Sequence, residues 1–294
     1  MHRPSEVPQP AAAAGLSPFE AAQRQGPPRR PFHLQGRAVG SVALHHLPVL
    51  QALAGVPLQV HEKAVVWTGA PASQADDFDR VNRQLRALGA ISAWREEPFA
   101  IFCPQHGDVL GHFERAACRF WGTLTLGAHA TGYVADAQGR PRALWIAQRA
   151  LDKATDPGLF DNLVGGGVPL GQSPHQALVR EGWEEAGAPA ELLTAARPAP
   201  VLTLHREVAE GLQVERLHSF DLPLPADWRP QNQDGEVAGF SLLPPAEAAD
   251  LALAGRMTVD AALVTLCFLQ RHGLWQADAE QAHGLQRLRG GPPP

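Results

Sequence analysis

Three carboxylates and one guanidinium fall within six positions of this chain: Arg180, Glu181, Glu184 and Glu185. Carboxylates that close repel one another, so on an open surface they are tolerated only as a solvated acidic face. In a cleft the same groups demand a cation, and hard oxygen donors suit Mg²⁺, with Mn²⁺ as the alternative. A divalent ion held by such a set polarises phosphoryl oxygens and acidifies water, which is the chemistry of phosphoanhydride hydrolysis.

The elements that position them are well marked. Ser173 reads as an N-cap, Pro174 as the first helical residue, and Gln176 completes a capping-box pattern. Gly187 is the natural stop. At roughly 100° per residue, Arg180, Glu181, Glu184 and Glu185 are expected on one face, with Leu178, Val179, Gly182, Trp183 and Ala186 opposite. Ahead of the helix runs a glycine-rich loop, Gly165-Gly166-Gly167.

Spaced this way, the segment resembles the Nudix box: Gly, five residues, Glu, seven residues, then Arg-Glu-hydrophobic-any-Glu-Glu-any-Gly. Gly166 opens it, Arg180-Glu181 and Glu184-Glu185 follow at matching distances, and Gly187 closes it. Two positions depart: Gln172 stands where the family has its first glutamate, and Gly182 where it has a bulky apolar residue. A glutamine can still brace Arg180 through a hydrogen bond, without charge assistance. Gly182 costs the helix on the order of 1 kcal/mol against alanine. The resemblance implies Glu181 and Glu185 as metal ligands with Glu184 close by, and the Gly165 carbonyl as a further ligand. Glu236, in Asp234-Gly235-Glu236-Val237, is the candidate distal carboxylate. The catalytic roles fall to Glu181, Glu184 and Arg180; Glu181 ranks first as base, and the choice among glutamates stays open. Arg149 and Lys153 are candidates for holding phosphate oxygens, with ordinary surface cations as the alternative.

The likeness extends from about residue 31 to 275, through Trp94-Arg95-Glu96-Glu97, His129 to Val134, Asp152-Lys153, Phe160-Asp161-Asn162 and Asn232 to Val237. These runs resemble the Nudix subfamily related to thiamine pyrophosphokinase-linked proteins, which carries an extra domain ahead of the catalytic one. The resemblance implies an α/β protein, a Nudix α/β/α sandwich with a mixed sheet after a smaller α+β domain. It also implies hydrolysis of thiamine diphosphate or its oxidised derivatives to the monophosphate, a metabolite-repair role. Rival readings are a diphosphatase for another nucleoside or sugar diphosphate, and a ligand-binding regulator that keeps the fold with weak turnover.

Composition sets the outer bounds. With 294 residues, 45% hydrophobic and net charge −5, the chain has enough apolar matter for a sizeable core and no basic field for nucleic acid or anionic membrane. No run of about twenty apolar residues exists and the N-terminus lacks a secretory pattern, so a cytoplasmic protein with a small-molecule diphosphate partner is expected. Cys103, Cys118 and Cys267 lack metal or disulfide spacing and read as buried inert thiols. The expected organisation is a poorly ordered lead at 1–30, an α+β domain at 31–120, the Nudix domain at 121–275 and a tail at 276–294. Helices are expected at Ser41–Ala54, Asp77–Leu88, Pro244–Ala254 and Val259–His272. Strands are expected at Lys63–Thr68, Pro98–Cys103, Leu144–Ala147, Val201–Glu207, Val214–Leu222 and Gly239–Leu243. In the leading domain, Trp67, Trp94, Phe99, Phe102, Phe113, Phe120 and Trp121 are candidate walls for an organic group, although most should be core. His129 reads as a satisfied core histidine.

Overall fold

A computed structural model describes residues 16–289. The first element is a single turn, α1 (Pro18–Ala21), closed by a capping box between Ser17 and Glu20. A four-stranded sheet follows from β1 (Arg29–Leu34), β2 (Arg37–Ala43), β3 (Leu58–Val60) and β4 (Val65–Trp67), in the order β2-β1-β4-β3. Two helices accompany it, α2 (Leu47–Ala52) and α3 (Gln74–Ala87). A hairpin, β5 (Pro98–Phe102) with β6 (Val109–Glu114), and a short α4 (Ala117–Trp121) complete this leading region. Its core is aromatic: Phe78 stacks on Trp67 with ring centres 3.9 Å apart, and Phe32 lies 4.5 Å from Trp121. The Trp121 indole donates to Asn82 Oδ1 at 2.9 Å, which satisfies the one polar atom that its burial would otherwise orphan.

The second region is built on a mixed sheet. It comprises β7 (Leu124–Ala135), β8 (Pro141–Arg149), β9 (Phe160–Asn162) and β10 (Val164–Gly167), then α5 (Pro174–Ala186) and α6 (Ala190–Leu193). β11 (Arg197–Pro198), β12 (Leu202–Val208), β13 (Gly211–Leu224) and β14 (Val237–Leu243) follow, with α7 (Pro245–Leu253), α8 (Val259–Arg271) and α9 (Ala279–Leu288). The main path runs β11-β13-β7-β8-β14, with β10 on β7, β9 on β8 and β12 on β13. β7 and β13 are parallel from Leu124↔Val214 to Val134↔Leu224, while β7 and β8 are antiparallel. One face is covered by α5 and α6 through Leu178, Ala186 and Leu193 on Phe220 and Leu222. The other is covered by α1, α7, α8 and α9 through Phe19, Ala248, Phe268 and Leu285 on Leu204 and Leu217. Two helical layers around a mixed sheet make the α/β/α sandwich, because each face of a sheet buried by helices must be apolar.

Several elements differ from the sequence reading. The expected helix at 41–54 is a strand to Ala43 and becomes α-helical only from Leu47. Residues 40–43 pair with β1, and Pro48 has no N–H to donate to a helix begun earlier. Within the expected lead, residues 16–30 are tied down; residues 1–15 lie outside the described segment. Phe19 is buried, the backbone of His205 donates to Ala22 O at 3.0 Å, and Arg29 reaches Glu207 at 3.2 Å. The expected tail contains α9, started by a capping box between Asp278 and Gln281 and buried through Leu285 and Leu288; its last residues, 290–294, are outside the described segment. The cysteines are free and buried, and burial pushes the Cys118 thiol up to about 12.

Candidate active site

The strand β10 and the helix α5 meet at the glycines. Ser173 caps α5 by accepting from Gln176 N, and Gly187 ends it at φ 62°, a left-handed conformation that side chains rarely adopt. Buried positions along α5 are Ala177, Leu178, Glu181, Gly182, Glu185 and Ala186. Glu181 and Glu185 therefore flank the apolar stripe rather than oppose it. At roughly 100° per residue both fall within about 60° of Leu178, close enough to be carried inward. Trp183, expected on the buried side, is 55% exposed, and Glu184 points outward with it.

Burial of the two carboxylates requires the absence of side chains on the strand. A Cβ on Gly166 would lie 2.2 Å from Glu181 Oε1, so only glycine leaves that carboxylate its place. The Gly165 N–H donates to Glu185 Oε2 at 2.9 Å. Gly182 has a comparable reason: a Cβ there would meet the Leu193 methyls at 2.8 Å, so α6 fills the volume that a bulky residue would take.

Burial pushes the Glu185 carboxyl well above the ordinary carboxylate range, and the charges of Glu181 and Asp161 add to it. Glu181 is raised as well, first by burial, while Arg180 and Arg115 pull the other way. Arg180 binds both neighbours, Nη2 to Glu181 Oε1 at 2.7 Å and Nη1 to Glu184 Oε2 at 2.9 Å. Gln172 does not brace it: Gln172 Oε1 and Arg180 Nε are both buried without a hydrogen-bond partner among the described residues.

The remaining expected residues are engaged elsewhere. Glu236 pairs with Lys153 Nζ and, at 3.3 Å, with Arg95 Nη1 of the leading region, so it does not join Glu181 and Glu185. Lys153 still lies near enough to favour the charged form of Glu185. Arg149 is spent on Asp161 Oδ2 at 3.0 Å and on the carbonyls of Thr155 and Asp156, where it fixes the loop before β9 rather than standing free for phosphate. His129 is buried, with Nδ1 3.1 Å from Asn162 Oδ1.

Two residues of this site were given no role by the sequence reading. Asp161 is buried beside the glycine strand, 3.3 Å from where a Gly165 Cβ would sit. An acidic residue just ahead of a glycine run was a usable signal. Arg115 comes from the leading region, pairs with Glu97 at 2.9 Å, and feels the charges of Glu181 and Glu215. Nothing in its local sequence marks it. Of the aromatic candidates, Trp67, Phe113, Phe120 and Trp121 are core, whereas Trp94 lines the cavity of about 420 Å³ beside Lys153 and Glu236.

The side chains gathered here offer oxygens: the Glu181 and Glu185 carboxylates and, beside them, Asp161. That set fits a hard divalent cation. Among the described residues no three acidic, histidine or cysteine side chains are gathered tightly enough to hold an ion, and Glu181 is engaged by Arg180 at 2.7 Å.

Comparison with known proteins bears on this geometry. A family model described as the NUDIX domain matches residues 125–263, from within β7 to within α8. Two proteins of Arabidopsis thaliana are similar: Nudix hydrolase 20, chloroplastic, is 35% identical over 203 residues, and Nudix hydrolase 24, chloroplastic, 36% over 205. The alignments cover 68% and 69% of this chain and 54% and 56% of the relatives, so the chain spans about half the length of the curated relatives it matches. A solved protein of Deinococcus radiodurans covers 58% of this chain and 99% of its own, at 22% identity and a TM-score of 0.43.

Proposed function

We propose that the protein is a divalent-metal-dependent diphosphatase of the Nudix type, a reading supported by the match of residues 125–263 to the NUDIX-domain model. One observation carries the reading: Glu181 and Glu185 are buried side by side against a strand whose glycines admit their carboxylates. Burying like charges is costly; Arg180 offsets part of that cost for Glu181 and the Gly165 N–H part of it for Glu185, and a divalent cation between them would offset more. Mg²⁺, or Mn²⁺, held by Glu185, Glu181 and the Gly165 carbonyl would neutralise the diphosphate and acidify a water.

The chain's own residues do the rest. Gly165 N–H fixes one oxygen of Glu185, and the other would be available to a bound ion. Glu181 is the preferred proton acceptor, since burial raises its basicity and Arg180 holds its geometry. Glu184 anchors Arg180 from the exposed side. Lys153 and Arg95, gathered on Glu236 at the rim, are placed to meet phosphate oxygens once an anionic substrate competes for them.

The substrate reading is thiamine diphosphate or its oxidised forms, cleaved to the monophosphate and phosphate. Its support is the run of residues from Trp94 to Val237 that resembles the thiamine-linked subfamily. Hydrolysis of thiamine diphosphate, oxothiamine diphosphate, ADP and a sugar diphosphate, compared at fixed Mg²⁺, tests it. A kcat/KM at least tenfold higher for the thiamine compounds is expected; equal or lower values would move the assignment to the better substrate. A second reading, a weakly active ligand-binding regulator, is favoured by the unpaired Gln172 Oε1 and Arg180 Nε. It predicts tight binding of a diphosphate without turnover in the same assay.

A further inference from the structure

Successive residues of a strand present opposite faces, and the glycine strand β10 is thinned on both. A Cβ on Gly166 would strike Glu181, whereas one on Gly167 would lie 2.6 Å from Phe99 Cζ and 3.3 Å from Arg115 Cζ, two residues of the leading region. On that second side lies a polar chamber of about 100 Å³, with Gly165, Gly167, Arg115, Arg119, Arg206 and Glu215 in its walls. A pocket of about 50 Å³ adjoins it and shares Arg115, Arg119, Gly167 and Glu215. The chamber touches the same glycines as the buried glutamates and so borders the proposed site of cleavage.

Arginine donors in this space are largely unspent. Arg115 Nη1 donates to Glu97 Oε2 at 2.9 Å, Arg119 Nη1 to Glu210 Oε2 at 3.0 Å, and Arg206 Nε to Gln213 Oε1 at 2.7 Å. Each arginine thereby uses one of its three guanidinium nitrogens, and the others make no hydrogen bond among the described residues. The side chains of Arg115 and Arg119 stay 38% and 31% accessible, so these nitrogens are open to a ligand. Arg149, also in the wall, is saturated by Asp161 and two carbonyls. Arg115 is held firmly. Its N–H donates to Glu97 O at 2.8 Å, and the neighbouring Glu114 carboxylate accepts from the backbone of Arg95, Glu97 and Ala116. Carboxylates line the chamber too, but they offset the arginines only in part. Asp161 is matched by Arg149, and Asp260 and Glu215 both accept from Gln213, with Arg206 Nη2 3.9 Å from Asp260 Oδ1. Burial pushes the Glu215 and Asp156 carboxyls up, toward their neutral forms.

We propose that Arg115 and Arg119 hold the terminal phosphate of the substrate in this chamber, facing Arg206, so that the leading region supplies part of the phosphate-binding apparatus. Guanidinium forks meet phosphate oxygens two at a time, which a point charge does not. The volume is room for several waters or one phosphate group. The organic end is left to the cavity of about 420 Å³ at the rim, beside Trp94, and the esterified phosphate to Lys153 and Arg95 between the two. Both chamber arginines precede the segment that the NUDIX model matches, so they add to whatever that segment provides. That the phosphate belongs to a diphosphate rests on the function proposed above; that the chamber takes a phosphate group rests on its arginines.

Titration of inorganic phosphate into the full chain in EDTA, followed by phosphorus NMR line broadening, reads the chamber without metal or turnover. Wild type should bind saturably. Arg115→Gln and Arg119→Gln should each weaken Kd at least about tenfold, the scale of a lost hydrogen bond to a charged group, with Arg115→Lys in between. Glu97→Gln removes the partner of Arg115 and keeps the guanidinium, so its Kd should equal that of wild type or be lower. Arg37→Gln, from an exposed pair with Asp108, should leave binding unchanged. Circular dichroism checks each fold, and if Arg115→Gln unfolds, Arg119→Gln decides. The inference is overturned by absence of saturable binding in wild type, or by smaller losses in both glutamine variants. An equal loss in Glu97→Gln would also overturn it, reducing Arg115 to half of a structural ion pair. If phosphate binds in the expected pattern and no diphosphate is cleaved with Mg²⁺, the chamber assignment stands and the diphosphatase reading falls. If diphosphate is cleaved while phosphate binding ignores both arginines, the reverse holds.

Discussion

The leading region and the mixed-sheet region that follows it solve opposite problems of burial. In the first, aromatic rings pack on one another: Phe78 touches Trp67, Phe113 and Trp121, and Trp121 finds Asn82 for its N–H. In the second, the short strand β10 gives up side chains at Gly165, Gly166 and Gly167, and the space goes to charged groups that stay incompletely paired. The contrast separates support from chemistry. Where a core is saturated, a substitution costs stability; where polar groups are held short of partners, it costs function.

The comparison breaks first at Phe78. Phe78→Ala should destabilise the protein by about 3–5 kcal/mol, the scale for a buried phenylalanine, with kcat per folded molecule nearly unchanged. Denaturant melts alongside an active-site titration would show this, and a matching collapse of kcat would put the leading core inside the catalytic machinery. Next in size, Glu185→Gln and Glu181→Gln should each lower kcat at least about 10²-fold, the usual scale for acid–base or electrostatic groups. Their circular dichroism spectra should stay native. Residual activity within threefold of wild type would remove either residue from the site.

A smaller effect sharpens the contrast through pH. The folded-state pKa of Glu185 is raised by burial, then by Glu181 and Asp161. Its contribution to stability is therefore full below the unfolded value and is lost as pH rises through the folded one. In EDTA at neutral pH, Glu185→Gln should thus be more stable than wild type by about 1 kcal/mol, roughly 2–4 °C in Tm. The gap should close as pH falls toward the ordinary carboxylate range. A variant less stable than wild type at neutral pH would mean that the charge is already compensated. Smallest of all, Gln172→Glu offers Arg180 Nε the charged acceptor it lacks. The gain should be roughly 0.5–1 kcal/mol, reduced because Arg180 is partly exposed. A loss in thermal melting would show the pocket rebuilt around the amide.

Local signals carried much of this molecule. Ser173, Pro174 and Gln176 announce α5, Gly187 ends it, and the strands expected at Val201–Glu207 and Val214–Leu222 appear as β12 and β13. What stayed hidden depends on partners distant in sequence. Glu181 and Glu185 read as a polar face, because only the position of β10 decides which side of α5 is inward. Arg115, Glu215 and Asp260 come from the leading region, β13 and α8, and no spacing rule brings them together. Glu236 sits in the loop where a distal carboxylate was sought, yet Lys153 and Arg95 hold it, a competition between ion pairs that sequence does not rank.

The central claim is that Glu185 and Glu181 form the seat of a divalent ion. Mn²⁺ titration followed by electron paramagnetic resonance at neutral pH, without substrate, tests this most directly, since it reads the ion itself. Wild type should take up Mn²⁺, with affinity falling as pH drops through the raised Glu185 pKa. Glu185→Gln should bind at least tenfold more weakly, and Glu184→Gln, altered on the exposed face, much less so. Equal Mn²⁺ affinity in wild type and Glu185→Gln would contradict the account.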